Sequence, residues 1–206
     1  MSEHSSQSGL VGVVLPVRAF RGAYTRLSEV LTDDQRAALA EAMLAGVCRA
    51  VGTLPTVIVS SDLAVHAWAA SRSIAVIDDP GSLNAAADAG RHYWAERGME
   101  RAVIVHSDLP QITSLQPVLA TADPETVILV PCHREDGTTI VNVATSAPWQ
   151  FAYGPASFVA HQQLAARHAL RVEVVRDPAL SRDIDVAEDL ASLPTAIAAA
   201  LAAMTE

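Results

Sequence analysis

Three carboxylates in this chain directly follow predicted strands, where their side chains can meet a ligand. Asp108 comes after the stretch VIVHS, and Pro110 stops that strand. Asp183 and Asp185 follow a later strand, and their spacing places both side chains on one face of an extended segment. Paired carboxylates repel each other unless a cation lies between them or water solvates them. Because Mg²⁺ binds carboxylate oxygens together with substrate phosphates, the three acids are candidate metal ligands.

Each of these acids also has a simpler explanation. Taken alone, Asp108 is better explained as a turn acid or as the cap of the next helix. Glu188 and Asp189 follow the later pair and are predicted to be first-turn acids of a helix, where they interact favourably with its dipole. The metal hypothesis therefore depends on whether other polar groups reach the same place.

The loop after the first predicted strand carries three arginines within nine residues, Arg18, Arg21 and Arg26. A guanidinium group presents a fork of donors that matches phosphate oxygens, so this loop suits an anion or a triphosphate. A solvated basic loop explains the same spacing equally well. Neither the Walker phosphate-binding pattern nor GxGxxG occurs in the chain.

Hydroxyl groups and a glycine follow the later strands. Gly154 permits close backbone approach to a ligand. Thr138, Thr139 and Ser157 offer hydroxyls that suit a small phosphate or carboxylate. A histidine near a helix start, such as His161, is more often structural, and we predict that role for it.

The turn after the third predicted strand leads into a helix. Ser82 is a candidate cap of that helix, and Asn84 lies in its first turn. A helix N-terminus at a strand end can bind a polar or anionic ligand. A plain turn and cap explain the same two residues without any ligand.

Alternating strands and helices must position these residues. Strands are predicted at residues 10–17, 55–62, 74–79, 101–108, 126–132, 138–144 and 171–177. Helices are predicted at residues 33–51, 63–71, 83–98 and 113–122, between the last two strands, and from residue 187 onward. This alternation indicates an α/β fold with a mainly parallel sheet. In such sheets, ligands bind at the carboxyl ends of the strands, near a switch in strand order.

Composition restricts the class of protein. The chain has 206 residues, 50% of them hydrophobic, which is enough for one sizeable core. We predict a disordered segment at residues 1–9 and a single domain over residues 10–206. The formal net charge of −9 argues against a nucleic-acid partner, because such proteins carry basic patches. All 14 residues of the lysine and arginine class are arginines.

The remaining sequence features concern compartment and assembly. Cys48 and Cys132 show no paired spacing, so neither a zinc site nor a disulfide is predicted. The polar N-terminus does not resemble a signal peptide, and no apolar run reaches the roughly 18 residues that cross a membrane. We therefore predict a soluble cytoplasmic protein without a membrane partner. The Ala-rich residues 195–204 could pack against a second copy, so a homodimer is possible.

Taken in order, these pieces resemble the 2-phospho-L-lactate guanylyltransferase family, which includes the phosphoenolpyruvate guanylyltransferases of coenzyme F420 biosynthesis. The resemblance runs from about residue 10 to about residue 193. Its motifs are TRL at 25–27, SDLP at 107–110, DGTT at 136–139, YGPASFVAH at 153–161 and DIDVAEDL at 183–190. Each motif is short, and the order of all five makes the resemblance specific.

The resemblance implies a Rossmann-like nucleotidyltransferase fold, a GT-A-like three-layer sandwich with a mainly parallel mixed sheet. It implies GTP and a small phosphorylated three-carbon acid, phosphoenolpyruvate or 2-phospho-L-lactate, as substrates and Mg²⁺ as cofactor. The implied reaction moves GMP from GTP onto the phosphate of the acid and releases pyrophosphate.

The resemblance also implies roles by position. The implied metal ligands are Asp108, Asp183 and Asp185. Residues implied to bind the phospho-acid are Arg18, Thr138, Thr139, Gly154 and Ser157. Those implied to bind the nucleotide are Arg21, Arg26, Ser82, Asn84 and Asp108. Those implied to act in catalysis are Arg18, Arg26 and Asp108.

Three positions depart from the family pattern. Arg18 stands where the family has Lys, which keeps the charge in a chain without lysine. Tyr24 stands where Lys is common and removes a charge, and Ser107 stands where Gly usually precedes Asp-Leu-Pro. Two alternatives stay open at this point. One is a related nucleotidyltransferase with another acceptor or base, and the other is a degenerate paralogue that binds nucleotide without turnover.

Overall fold

A seven-stranded sheet forms the centre of the protein, whose computed structural model describes residues 10–204. The strands are β1 (Val11–Pro16), β2 (Thr56–Val59), β3 (Ala75–Ile77), β4 (Arg101–Val105), β5 (Thr126–Pro131), β6 (Thr138–Ala144) and β7 (Arg171–Val174). They lie in the order β3-β2-β1-β4-β6-β5-β7. Within the described residues, β6 alone runs antiparallel to its neighbours. The sheet is therefore mixed and mainly parallel, as predicted, whereas the predicted disorder of residues 1–9 lies outside the described residues.

Helices cover both faces of the sheet and complete the predicted three-layer sandwich. The helices are α1 (Asp33–Val51), α2 (Leu63–Ala70), α3 (Leu83–Ala95), α4 (Ser157–Arg167), α5 (Pro178–Ser181) and α6 (Thr195–Ala203). One apolar core lies between the sheet and α1, α2 and α5. A second core lies between the opposite face and α3 and α4. Burial on both faces explains why central strands such as β1, β4 and β5 appear in the sequence as largely apolar runs, whereas the edge strands β3 and β7 are partly exposed.

The strand order reverses between β1 and β4. The chain builds β1, β2 and β3 outward to one edge, and β4 then pairs with the other side of β1. A reversal of this kind opens a crevice at the carboxyl ends of the two central strands. The arginine loop follows β1 and Asp108 follows β4, so the topology brings these two predicted ligand-binding segments side by side.

Close packing of α3 on β1 fixes the second layer. A Cβ atom added to Gly12 would lie 2.3 Å from the Trp94 ring, and one added to Gly90 would lie 2.2 Å from Val14. Trp94 Nε1 also donates to the carbonyl of Val13 at 3.0 Å. The two glycines therefore let the helix dock directly onto the strand, since any side chain at either position would push them apart.

The N-terminus of α1 forms as its sequence predicts. Thr32 accepts a hydrogen bond from the backbone N–H of Gln35 at 3.2 Å, and the Gln35 side chain accepts from the Thr32 N–H at 2.9 Å. Asp33 and Asp34 occupy the first turn. This reciprocal capping satisfies two backbone donors that the helix cannot satisfy internally.

Two helix predictions were wrong in type or extent. Residues 113–122 were predicted to form a helix, but the structure has only a short 3-10 helix, Gln116–Val118. Pro117 has no N–H to donate, and Leu115 and Val118 are fully buried, so burial of these anchors outweighs helical propensity. The helix predicted from residue 187 is a 3-10 helix, Ala187–Ser192.

The Ala-rich C-terminal helix packs within the same chain. Leu201 of α6 joins Leu39 and Met43 of α1 in a small apolar cluster. Gln35 Nε2 donates to the carbonyl of Leu201 at 3.1 Å. Part of the apolar surface of α6 is thus used internally, and the predicted homodimer stays a prediction. Across residues 10–204, no helix combines the length and apolar character needed to cross a membrane.

Candidate active site

A cleft of about 390 Å³ opens where β1 and β4 end. Its walls come from the loop after β1, from α1 and from the residue before Asp108, and include Arg18, Gly22, Tyr24, Thr25 and Ser107. Arg18 is exposed at this opening. The cleft lies at the switch in strand order, which is the expected position for a ligand in such a sheet.

Asp108 directly follows Ser107, which lines this cleft, and one of its carboxylate oxygens is unsatisfied. Its Oδ1 is buried and has no hydrogen-bond partner among the described residues. Burial, followed by the negative charge of Asp183, raises the pKa of Asp108 to about 7, and Asp185 adds to the effect. The backbone carbonyl of Asp108 accepts from the N–H of Ile184 at 3.1 Å. The structure therefore brings the three predicted carboxylates within electrostatic reach of one another.

Asp183 and Asp185 are each engaged by a cationic or donor side chain of the protein. His133 Nδ1 donates to Asp183 Oδ1 at 3.0 Å, and Arg26 forms an ion pair with Asp185. Burial raises the pKa of Asp183 despite its contact with His133. Among residues 10–204, no group of three or more His, Cys, Asp or Glu side chains is already arranged as a metal site.

The donor set nevertheless fits a hard divalent cation. An unpartnered buried carboxylate oxygen is costly, and two further carboxylates raise the pKa of the same group. A cation with oxygen ligands would relieve both penalties at once. The fit rests on Asp108 above all, because Asp183 and Asp185 have partners within the protein.

The three arginines of the loop after β1 separate in space. Arg26 faces Asp185, whereas Arg21 donates to Asp34 on α1 at 2.8 Å in an exposed ion pair. Arg18 lines the cleft. The structure thus brings Arg18 and Arg26 to the candidate site and directs Arg21 toward the start of α1.

Tyr24 occupies the cleft in a conformation that is unusual for its residue type. Its backbone lies in the left-handed region, with φ of 52°. Burial raises the pKa of its hydroxyl well above the ordinary value, and the charge of Asp108 raises it further. The side chain is therefore a neutral group near Asp108.

Two of the predicted acceptor-binding residues, Thr138 and Ser157, are hydrogen-bonded to each other near the start of α4. Thr138 is buried, and its Oγ1 lies 3.0 Å from His161 Nδ1. His161 Nε2 accepts from the backbone N–H of Ala152 at 3.0 Å, so Nδ1 carries the proton and donates to Thr138. Ser157 donates to Thr138 at 3.4 Å. Burial lowers the pKa of His161 to about 4, which makes it a neutral structural residue, as predicted.

Thr139 and Gly154, two further residues predicted to bind the phospho-acid, have other surroundings. The Thr139 hydroxyl donates to the carbonyl of Leu180 at 2.7 Å and ties β6 to α5. Consecutive strand residues point to opposite faces, so Thr138 and Thr139 do not line one pocket. Gly154 is exposed, has φ of +139° and has open space around its missing side chain. That backbone conformation favours glycine and leaves room for close approach of a ligand.

Ser82 and Asn84 serve the scaffold of the site. Ser82 caps α3 by accepting from the N–H of Ala85 at 3.2 Å. The Asn84 amide pairs with the backbone of Tyr153, accepting from its N–H at 2.6 Å and donating to its carbonyl at 3.2 Å. Asn84 therefore holds the segment that leads into Gly154, and its amide oxygen and nitrogen both have protein partners.

The sequence interpretation missed His133 and Arg134 and underrated Asp189. Asp189 is a first-turn acid, as predicted, but it also contacts both of the other residues. The signal was available, because His133 and Arg134 follow the buried strand β5 just as Asp108 follows β4. Inspection of every strand end, including that of β5, would have identified them.

Comparison with known proteins places the chain in a family. The family described as "Guanylyl transferase CofC like" matches residues 11–195. A phosphoenolpyruvate guanylyltransferase of Rubrobacter xylanophilus is 34% identical over 190 residues, covering 89% of this chain and 93% of the relative. A 2-phospho-L-lactate guanylyltransferase of Methanothermobacter thermautotrophicus is 30% identical over 186 residues, covering 87% and 82%. A 3-phospho-D-glycerate guanylyltransferase of Phenylobacterium zucineum is 29% identical over 187 residues, covering 85% and 86%.

Solved structures agree on the fold. A structure described as a nucleotide-diphospho-sugar transferase, from Desulfovibrio desulfuricans, superposes with a TM-score of 0.72 at 16% identity, covering 88% of this chain and 85% of the other. A nucleotidyl transferase from Methanothermobacter thermautotrophicus superposes with a TM-score of 0.62 at 15% identity, covering 95% and 99%. The predicted nucleotidyltransferase fold is confirmed, and the chain belongs to the CofC-like family of guanylyl transferases.

Proposed function

We propose that this protein transfers GMP from GTP onto the phosphate of a small three-carbon phospho-acid, phosphoenolpyruvate or 2-phospho-L-lactate, in coenzyme F420 biosynthesis. The observation that carries the proposal is the convergence of Asp108, Asp183 and Asp185 beside two arginines at the switch in strand order. Family membership supports the guanylyl group as the one transferred.

The chemistry requires positioning and charge neutralisation more than a base. An oxygen of the acceptor phosphate attacks the α-phosphorus of GTP and forms a new P–O bond. The bond from the α-phosphorus to the oxygen that bridges to the β-phosphate breaks, and pyrophosphate leaves with the electron pair. Because the nucleophile is already an anion, no proton has to be removed from it. The protein gains rate mainly by bringing two anions together and stabilising the developing charge.

Arg18 in the cleft and residues near it supply these functions in the proposal. Arg18 and Arg26 bind phosphate oxygens and offset the repulsion between the two anionic substrates. Asp108, Asp183 and Asp185 would hold Mg²⁺, which supplies charge neutralisation on the triphosphate when bound. Gly154 and the N-terminal turn of α4, with Ser157 and Thr138 behind it, form the acceptor side.

Pyrophosphate release tests the proposal. Purified protein is incubated with Mg²⁺, each of the four ribonucleoside triphosphates in turn, and phosphoenolpyruvate, 2-phospho-L-lactate or 3-phospho-D-glycerate. Release with GTP and a phospho-acid, with the guanylylated acid identified by mass spectrometry, is the expected result. Release with another triphosphate would support a related nucleotidyltransferase. Folded protein that releases pyrophosphate with no pair would exclude turnover and leave nucleotide binding as the alternative.

The Mg²⁺ requirement is tested in the same assay. Removal of divalent cations with EDTA should abolish pyrophosphate release, and added Mg²⁺ should restore it. Activity that persists in EDTA would remove the three carboxylates from a metal-binding role.

A further inference from the structure

Asp189 makes more contacts than a helix cap requires. It is 4% exposed, and its Oδ2 accepts from the backbone N–H groups of Asp185 at 2.9 Å and of Val186 at 3.0 Å. Arg134 donates to both carboxylate oxygens, at 2.7 Å and 2.9 Å. Burial by itself would raise the pKa of Asp189, but these hydrogen bonds outweigh it and lower the pKa. The Asp189 carboxylate is therefore a buried anion, and both of its oxygens accept hydrogen bonds from the protein.

His133 connects this anion to one of the carboxylates of the site. Its Nδ1 contacts Asp183 Oδ1 at 3.0 Å, and its Nε2 lies 3.4 Å from Asp189 Oδ1. The backbone N–H of His133 donates to the carbonyl of Ser181 at 2.7 Å. The imidazole is thus held between two acids on the segment that carries Asp183 and Asp185.

Capping alone does not account for this arrangement. A first-turn acid needs only the N–H groups of its own helix start, which Asp189 obtains from Asp185 and Val186. His133 and Arg134 come from the loop after β5, and Arg134 precedes Asp189 by 55 residues in the chain. Two side chains from a distant loop therefore converge on an acid whose capping role is already satisfied.

We propose that His133, Arg134 and Asp189 form a clamp of positioning residues that sets the orientation of the Asp183–Asp185 segment toward its cation. The inference rests on the proposed function, because it takes Asp183 and Asp185 as metal ligands. Partners of this kind fix the orientation of the groups that touch a metal, and their loss typically lowers metal affinity or activity 10- to 100-fold.

Binding of Mn²⁺ in the absence of nucleotide tests the clamp without turnover. Free Mn²⁺ is measured by electron paramagnetic resonance for wild-type protein and for Asp189→Asn, His133→Gln and Arg134→Ala. Asp189→Asn and His133→Gln should each weaken Mn²⁺ binding about tenfold. The matched control is Glu135→Gln, since Glu135 lies in the same loop and its exposed carboxylate pairs with the exposed Arg176. Its Mn²⁺ affinity should change less than about twofold.

A second measurement separates positioning from general loss of structure. Amide hydrogen exchange at Asp185 and Val186 should accelerate in Asp189→Asn, while exchange within α1 and β4 stays unchanged. In the enzyme assay, the clamp variants should lower kcat, whereas KM for the phospho-acid should change little. Arg134 is exposed, and its replacement by alanine keeps the hydrogen bonds from the backbone N–H groups of Asp185 and Val186 to Asp189. The Arg134→Ala variant therefore provides a test if Asp189→Asn does not fold.

The outcomes distinguish the clamp from the proposed function. Equal Mn²⁺ affinity in all three variants and wild type would overturn the clamp, as would wild-type protein that binds no Mn²⁺. A third outcome is that wild-type protein binds Mn²⁺, the variants bind it more weakly, and wild-type protein transfers no GMP. That outcome would uphold the clamp and overturn only the proposed function.

Discussion

Buried ionisable side chains lie at the two ends of strand β4, and they differ in whether the protein supplies hydrogen-bond partners for them. At its start, Arg101 is 1% exposed and donates to Asn142 Oδ1 at 2.7 Å and to the carbonyls of Asp123 and Thr126 at 2.8 Å and 2.7 Å. Just beyond its end, Asp108 keeps a buried oxygen with no partner among the described residues.

This difference separates scaffold from site. The buried guanidinium of Arg101 donates four hydrogen bonds to protein acceptors and holds β4, β5 and β6 together. A buried carboxylate oxygen without a partner is tolerated only where something else compensates it, and a bound cation does so. One strand thus carries a hydrogen-bonded buried charge at one end and a buried carboxylate oxygen without a described partner at the other.

Removal of Arg101 should have the largest effect on stability. Arg101→Ala leaves Asn142 and two carbonyl groups without their buried donor, so the free energy of unfolding should fall by about 3–5 kcal/mol. Urea denaturation followed by circular dichroism measures this change. Arg171→Ala, which removes an exposed arginine paired with Asp123, is the control and should cost less than about 1 kcal/mol. Equal losses in the two variants would contradict the scaffold role of Arg101.

Substitution of Asp108 should have the opposite profile. Asp108→Asn keeps the shape and removes the charge, so pyrophosphate release should fall about 1,000-fold. The free energy of unfolding should stay the same or rise by about 1 kcal/mol, since an unpaired buried charge is lost. Asp34→Asn, at an exposed carboxylate, should leave activity intact. A variant with full activity would remove Asp108 from the site.

A third kind of buried group is the neutral imidazole of His161, which should make the stability of the protein depend on pH. Its pKa is about 4 when folded and about 6.5 when unfolded, so the unfolded chain binds the extra proton between these values. The contribution of His161 to stability should therefore be complete above pH 6.5 and should fall by about 3 kcal/mol as the pH drops to 4. Denaturation midpoints from pH 4 to pH 8 test this in wild-type protein and in His161→Gln.

The His161→Gln variant should show a smaller loss between pH 6.5 and pH 4. His168→Gln, at the exposed end of α4, is the matched control and should keep the wild-type dependence. If both variants keep the wild-type slope, the acid sensitivity comes from other groups.

The last two arginines of the loop after β1, Arg21 and Arg26, should show the smallest effects of these substitutions. Arg26 contacts Asp185 at the site, whereas Arg21 pairs with Asp34 on α1. Arg26→Ala should raise KM for GTP about tenfold, because a charge-assisted contact to phosphate is lost. Arg21→Ala should change it less than about twofold. Steady-state kinetics with varied GTP measures both, and equal effects would place Arg21 at the triphosphate as well.

Much of this molecule is determined locally by the sequence. Continuous apolar runs specify the central strands because these strands are covered on both faces, and Thr32 with Gln35 specifies the start of α1. The failure at residues 113–122 has the same local character, since Pro117 and two buried anchors outweigh helical propensity there.

Only the tertiary structure decided which polar side chains lie in contact with one another. Sequence spacing could pair Asp183 with Asp185, but it could not bring His133 to Asp183 or send Arg21 away from the site toward Asp34. Nor could it show that Thr139 faces α5 while Thr138 faces α4. The physical reason is that helices and strands arise from contacts between near neighbours, whereas burial, charge and hydrogen-bond partners depend on segments that meet only when the sheet assembles.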